Sequence, residues 1–129
     1  MPDWQPLVER AREQRRHAYA PYSGFRVGAA LLAADGRVFG GSNVENRSYG
    51  LTVCAERAAL VQAVSAGATE LAALVVATDV SPPATPCGQC RDALAEFATA
   101  LPILLVNEQG ERREHDLVEL LPFPFVLRR

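Results

Sequence analysis

Excess charge of either sign is scarce in this chain: its 129 residues carry a formal net charge of only −2. A protein that grips the nucleic-acid backbone normally shows a basic stripe or patch. The nearest approach to one is Arg10, Arg12, Arg15 and Arg16, but Glu9 and Glu13 interleave with them. Mixed signs at helical spacing read as a solvated helix face. Long hydrophobic runs are missing as well, and none approaches the ~20 residues that a membrane-spanning helix needs. Asp3, Trp4 and Gln5 stand where a secretory signal would carry a basic head and an apolar stretch. Cysteine is limited to Cys54, Cys87 and Cys90. An odd number with no export signal argues against a disulfide framework, and a C-x-x-C pair in such a chain points to metal or redox chemistry. The expectation is a cytoplasmic protein with neither nucleic-acid nor membrane partners, folded as a single domain over residues 1–129.

What is present alternates between helical and extended patterns. Asp3 can cap a helix with Leu7, Val8, Ala11, Ala18 and Tyr19 near helical spacing, and Pro21 ends it. Phe25 to Ala33 reads as a strand, Asp35-Gly36 as a tight turn, and Arg37 to Gly41 as the returning strand. Ser42 to Thr52 is too rich in Asn, Ser and Gly to be a regular core element. Cys54 to Ala66 is helical, with Gly67 placed to terminate it, and its nearly all-round apolar surface predicts burial. Leu71 to Ala77 is a continuous apolar run, as in a strand covered on both faces. After a proline-rich loop, Gly88 to Ala98 predicts a third helix and Ile103 to Val106 another buried strand. Asn107 to Gly110 turns into a polar segment through His115, and Leu117 to Phe125 is expected to pack Leu120, Leu121, Phe123 and Phe125 around two prolines. A hairpin followed by alternating strands and helices predicts an α/β fold, a mixed sheet sandwiched by helices.

The cysteines fall at corresponding places in that pattern. Cys54 opens the second helix, and Cys87 and Cys90 open the third. Helix N-termini present free N–H groups and partial positive charge, which favour the thiolate that zinc binds. Ligand sites of open α/β sheets lie beyond the carboxyl ends of the strands, where such helices begin. Three thiolates leave a tetrahedral zinc one ligand short, which is the mark of a catalytic rather than a structural site. His17 and His115 lie among charged neighbours and lack any tight spacing to a cysteine, so both read as surface residues. Glu56, two residues after Cys54, is placed to accept a proton from a metal-activated water and pass it on. Arg57 and Arg91 are candidates to donate to the sulfurs and balance their charge.

These residues resemble a known family. Cys54-Ala55-Glu56-Arg57 with Pro86-Cys87-Gly88-Gln89-Cys90-Arg91 resembles the C-x-E … P-C-x-x-C pattern of zinc nucleoside and nucleobase deaminases. Tyr19 to Ala29 is similar to the opening of the small cytidine deaminases that act on free nucleosides. Asn43-Val44-Glu45-Asn46 resembles their ribose-binding N-x-E segment, and Leu120-Leu121-Pro122 with Phe125 their C-terminal end. The resemblance implies a three-layer fold with a mixed five-stranded sheet between helices. It implies one Zn2+ per chain on Cys54, Cys87 and Cys90, with Glu56 shuttling protons in the hydrolytic deamination of cytidine or deoxycytidine to its uridine counterpart and ammonia. Asn43 and Glu45 would bind sugar hydroxyls, Phe25 would pack on the base, and Tyr49 would sit in the same substrate-side loop. Phe125 would reach a neighbour's site in a homotetramer. Arg47, Gln89 and Asp92 depart from the family pattern and bear on substrate preference.

Three other readings compete. A deaminase of another aminopyrimidine nucleoside, of the nucleoside-antibiotic type, would share the chemistry, whereas a polynucleotide editor would need positive charge for the flanking strand. A non-catalytic zinc-stabilised module would need a fourth protein ligand. A dithiol redox protein on Cys87 and Cys90 would leave Cys54 and Glu56 without a role.

Overall fold

The computed structural model describes residues 2–127. Its elements run α1 (Trp4–Arg16), β1 (Gly28–Ala33), β2 (Val38–Ser42), α2 (Ala55–Ser65), β3 (Leu71–Ala77), α3 (Gly88–Ala95), β4 (Pro102–Val106), β5 (Arg112–Asp116) and α4 (Leu117–Leu120). The five strands form one sheet in the order β2-β1-β3-β4-β5. β1 is antiparallel to both β2 and β3, β3 is parallel to β4, and β5 returns antiparallel. Since β2 and β3 both oppose β1, their carboxyl ends lie at one edge of the sheet. The helices that follow them, α2 and α3, therefore both start at that edge.

Alternation along the central strands supplies the layers. Ala30, Ala73, Val75, Ala77, Leu104 and Val106 face α1, packing on Leu7, Val8 and Ala11. Leu31, Leu74, Val76, Ile103 and Leu105 point the other way, against Ala59, Leu60 and Ala63 of α2 and Leu94 of α3. Helices cover both faces of the sheet, giving the three-layer architecture that the resemblance implies.

Two glycines set how closely the layers approach. A methyl at Gly28 would run into backbone atoms of Ala11 and Arg15 in α1, and one at Gly41 into the Ala55 carbonyl and Ala59 amide of α2. Backbone cannot swing aside as a side chain does, so α2 rests on β2 at a distance that only glycine permits.

Several expectations need correction. α1 ends at Arg16, short of Ala18 and Tyr19, because Tyr19 pairs instead with the polar segment: its N–H donates to the Asn43 carbonyl and its own carbonyl accepts from the Glu45 N–H. β1 starts at Gly28, not Phe25, since Val27 donates its N–H to the Asn43 side chain rather than to a strand. α3 stops at Ala95, three residues short of Ala98. The polar segment 112–116 is a strand, β5, at the edge of the sheet and mostly exposed. α2 is buried along one side only, with Val61 61% exposed on the other. The C-terminal aromatics do not pack as expected: Phe123 is 94% and Phe125 81% exposed, while Leu117 goes into the core in their place.

The Gly41 contact yields a direct test. Gly41→Ala forces α2 off β2 and should cost about 1–3 kcal/mol, read as a lowered thermal midpoint. An unchanged midpoint would show that α2 yields at no cost.

Candidate active site

The site grows from two helix starts. Cys54 and Cys87 are the N-cap residues of α2 and α3, both extended in backbone conformation, and neither side chain is spent on capping. Cys90 lies within the first turn of α3 and is buried. The Cys54 and Cys87 sulfurs are 3.7 Å apart and those of Cys87 and Cys90 3.5 Å. All three lie within 4.8 Å of one another, and among the described residues no other group of potential metal ligands comes together in this way. Sulfurs held ~2.3 Å from a tetrahedral zinc stand roughly 3.8 Å apart, so the cluster has the size of a zinc site. Neither histidine joins it. His17 caps the end of α1, and the His115 ring on β5 stands 3.1 Å from a Glu119 oxygen.

The thiols cannot ionise independently. Cys54 is drawn down to about 5 by a hydrogen bond from Cys90, against its burial, with Arg57 and Cys87 helping. Cys90 is pushed far above the ordinary thiol range by that same bond, by burial and by the nearby Glu56. One negative charge settles on Cys54, and Cys90 resists a second. Arg57 donates from Nη2 to the Cys54 sulfur at 3.8 Å and to the Thr52 carbonyl at 3.2 Å.

Arg91 does not follow expectation. Its guanidinium donates to the Pro86 carbonyl at 2.7 Å, the Leu120 carbonyl at 2.9 Å and the Thr85 hydroxyl at 2.9 Å. With no hydrogen bond to a sulfur, it ties the cysteine loop to the C-terminal segment instead of balancing thiolate charge. A fork of donors that meets carbonyls on two sides is satisfied before it reaches the metal ligands.

Glu56 lies in the first turn of α2 and is 5% exposed. Burial pushes its carboxyl up to about 7, with its own backbone N–H pulling down and the Cys54 charge pushing up. A carboxyl so poised changes protonation near neutral pH, as a group that both takes and gives protons requires.

Cys54, Glu56 and Cys87 open on a cavity of about 200 Å3 whose wall also includes Phe25, Val27, Asn43, Glu45, Thr52, Val76, Thr78 and Thr85. That is below the ~300–1,000 Å3 typical of pockets for drug-sized ligands, so the enclosed part suits a single heterocycle. Asn43 is held by the chain it faces: its Oδ1 accepts from the Val27 N–H at 2.8 Å and its Nδ2 donates to the Phe25 carbonyl at 2.7 Å. Glu45 accepts from the N–H groups of Tyr22 and Ser23 at 2.9 and 3.1 Å and from the Ser23 hydroxyl. The Ser23 bond in particular holds its carboxyl below the usual range.

Five expected residues thus converge with the cysteine pair: Phe25, Asn43, Glu45, Glu56 and Arg57. Tyr49 does not line the cavity. It meets Tyr22 edge-on, ring centres 6.0 Å apart, beside a shallow depression on the outer side of Glu45. Phe125 lies away from this chain's cavity, in a groove with Asp92 and Leu121. Arg47, Gln89 and Asp92 are all exposed. Thr52, Thr78 and Thr85 also line the cavity, and no sequence motif marks Thr52 or Thr85 for it. For Thr78 a signal existed, because it continues the alternate row Leu74–Val76 as its first polar member.

Comparison with known proteins agrees with this geometry. Residues 1–105 match the family described as "Cytidine and deoxycytidylate deaminase zinc-binding region". The cytidine deaminase of Halalkalibacterium halodurans is 48% identical over 124 residues, covering 95% of this chain and 94% of that protein. That of Sporosarcina psychrophila is 44% identical over 124 residues, covering 95% and 91%. Among solved structures, the Burkholderia pseudomallei cytidine deaminase superposes with a TM-score of 0.91 at 46% identity, covering 97% of this chain and all of the other. The Mycobacterium tuberculosis enzyme gives 0.85 at 42%, covering 98% of this chain and all of the other. With sequence, fold and a zinc-sized thiol cluster in agreement, the chain belongs to the cytidine and deoxycytidylate deaminase family.

Proposed function

We propose that this protein is a zinc-dependent hydrolase that converts cytidine, or deoxycytidine, and water into the uridine counterpart and ammonia. The observation that carries this reading is the buried Glu56 carboxyl opening onto the same small cavity as the sulfurs of Cys54 and Cys87. Cys54, Cys87 and Cys90 would hold the zinc, which would supply the Lewis acidity that activates a water. Glu56 takes one proton from the attacking water and delivers it to ring N3. It then takes the second from the new C4 hydroxyl and passes it to the amino group, so that C4=O forms as the C4–N bond breaks and ammonia leaves. A single carboxyl near pH 7 serves each transfer because the first helical turn fixes it and burial keeps bulk water from competing. Arg57 offsets part of the thiolate charge through its bond to Cys54.

The rest of the cavity accounts for the substrate. Phe25, Val27 and Val76 offer apolar surface to a ring, while Asn43 and Glu45 offer spare hydrogen-bonding capacity to sugar hydroxyls. Glu45 is held ionised by Ser23 and its neighbours, and a fixed negative charge welcomes hydroxyl donors and repels phosphates. That selects a free nucleoside over a nucleotide or a polynucleotide. We place the reaction in the cytosol, where three free cysteines stay reduced and able to hold zinc.

Assembly belongs to the same proposal. Phe123, Phe125 and the exposed side of Val61 leave two apolar areas uncovered on an isolated chain. A homotetramer covers them and brings Phe125 to the rim of a neighbour's cavity. Pro122 and Pro124 keep the tail extended and lower the entropy lost on docking.

Following ultraviolet absorbance on cytidine, deoxycytidine, cytidine monophosphate and a cytosine-containing oligonucleotide should give turnover on the two nucleosides alone. Cys54→Ala should lose its zinc, measured by elemental analysis, together with thermal stability. X-ray absorption of the wild-type metal with four protein ligands would turn the reading toward a structural module. Glu56→Gln should retain zinc and fold while turnover drops by ~100- to 10,000-fold. A drop of a few-fold would move the proton carrier to another residue. Sedimentation should give about four times the 13.9 kDa chain, and Phe125→Ala should raise KM for cytidine. An active monomer would sink the assembly.

A further inference from the structure

Thr78 follows the last residue of β3 and is 1% exposed. Its backbone N–H is used, donating to the Val106 carbonyl at 3.1 Å. Its hydroxyl is not used: among the described residues Oγ1 has no hydrogen-bond partner. Among the described residues, it is the one buried polar side-chain atom of this kind that belongs to the cavity wall. A buried hydroxyl without a partner is costly in a fold, and valine, the same shape without the polar atom, removes that cost. At a purely structural position the methyl pair of valine would serve better, as it does two residues earlier at Val76.

Position narrows what meets the hydroxyl. Residues 74, 76 and 78 alternate onto one face of the sheet, the face that carries α2 with Glu56. The side of the cavity that adjoins the buried core, its floor, also includes Val27 and Val76, which offer nothing polar. Asn43 and Glu45 are assigned to the sugar in the reading above, so the part of the ligand that reaches the floor is the base. A pyrimidine presents apolar faces and a C5–C6 edge, and its polar atoms lie along O2, N3 and the substituent at C4. A hydroxyl both donates and accepts, so it can bond an amino-bearing substrate and a carbonyl-bearing product alike.

We infer that the Thr78 hydroxyl is a further substrate-binding group, which hydrogen-bonds a polar atom of the pyrimidine ring at the floor of the cavity. This rests on the deaminase reading and adds a specificity-determining residue to it. A site that commits a buried hydroxyl to its ligand penalises a ring unable to answer it.

The test pairs Thr78→Val, which keeps the shape, with Thr78→Ser, which keeps the hydroxyl. Deamination kinetics on cytidine, calorimetric binding of uridine and the thermal midpoint are measured for each. Thr78→Val should lower kcat/KM and weaken uridine binding on the order of tenfold, with an equal or higher midpoint. Thr78→Ser should return both to within about threefold of wild type. Kinetics and binding of Thr78→Val within about twofold of wild type would overturn the inference. So would a loss that Thr78→Ser fails to restore, or a loss that comes with a lowered midpoint, since either marks a packing role. A wild-type protein inert on cytidine would overturn the deaminase reading and this inference together; an active wild type with an unaffected Thr78→Val overturns this inference alone.

Discussion

Three thiols within 4.8 Å of one another, beside a buried carboxyl, form a concentration of potential negative charge that the rest of the molecule is arranged to tolerate. The opposite displacement of Cys54 and Cys90 reflects the difficulty: the first ionises readily, and the hydrogen bond between them, with burial and the charge of Glu56, keeps Cys90 protonated. Ionising the whole set demands positive charge. The N-termini of α2 and α3 and the guanidinium of Arg57 contribute fractions of it, and a divalent cation completes it. The strand order follows from the same need. Two helix starts meet at one edge because β2 and β3 run the same way on either side of an antiparallel β1. Had β1 been parallel to its neighbours, β1 rather than β2 and β3 alone would also have ended there, and no short hairpin could have joined it to β2.

The cavity mouth is built by a different device. Residues 43–53 have no regular sheet, yet Val44 bridges to both Tyr19 and Val53. Asn43 and Glu45 then reach across to the segment 22–27 with their side chains, each satisfying backbone groups of that loop. The residues proposed to bind the sugar are therefore also the residues that shape the loop carrying Phe25. Their acceptor atoms are positioned by bonds already made, so little ordering is left for the moment of binding.

Much of this was legible in the sequence, and what was not has identifiable reasons. Leu71–Ala77 matches its apolar run because a strand covered on both faces needs no pattern beyond burial. Gly36 and Gly67 mark a turn and a helix end because both adopt positive φ. The thiol cluster was readable from spacing, since an N-cap position fixes where a side chain leaves a helix. β5 was invisible in composition: an edge strand with exposed faces has no hydrophobic alternation, and only pairing with β4 defines it. Arg91 misled for a related reason. Adjacency to Cys90 in sequence says nothing of which side of the helix faces the sulfurs, and the guanidinium donates to the carbonyls of Pro86 and Leu120. The tail carries two expectations, packing around its prolines and a reach toward a neighbour, and on the single chain Phe123 and Phe125 are left exposed.

Glu56, the thiol cluster and the Thr78 hydroxyl share one property: each is worse for the isolated fold than an apolar replacement would be. A carboxyl raised to about 7 is held against the dielectric of its surroundings. As pH rises from its ordinary value of 4.5 toward 7, the folded state keeps a proton there that the unfolded chain has released, so this group's contribution to stability falls across that interval and levels off above it. Zinc works against this trend, because deprotonated thiols bind it and the unfolded chain has no preformed cluster to compete. Metal loading thereby opposes, at neutral pH, the penalty that burial of Glu56 introduces. The central strands carry no such conflict, because their alternating rows of Leu, Val and Ala on both faces of the sheet have no polar side-chain atoms to satisfy. At the carboxyl edge of β2 and β3, two glycine-permitted approaches and a pair of helix starts leave room for a ligand that resolves the conflict.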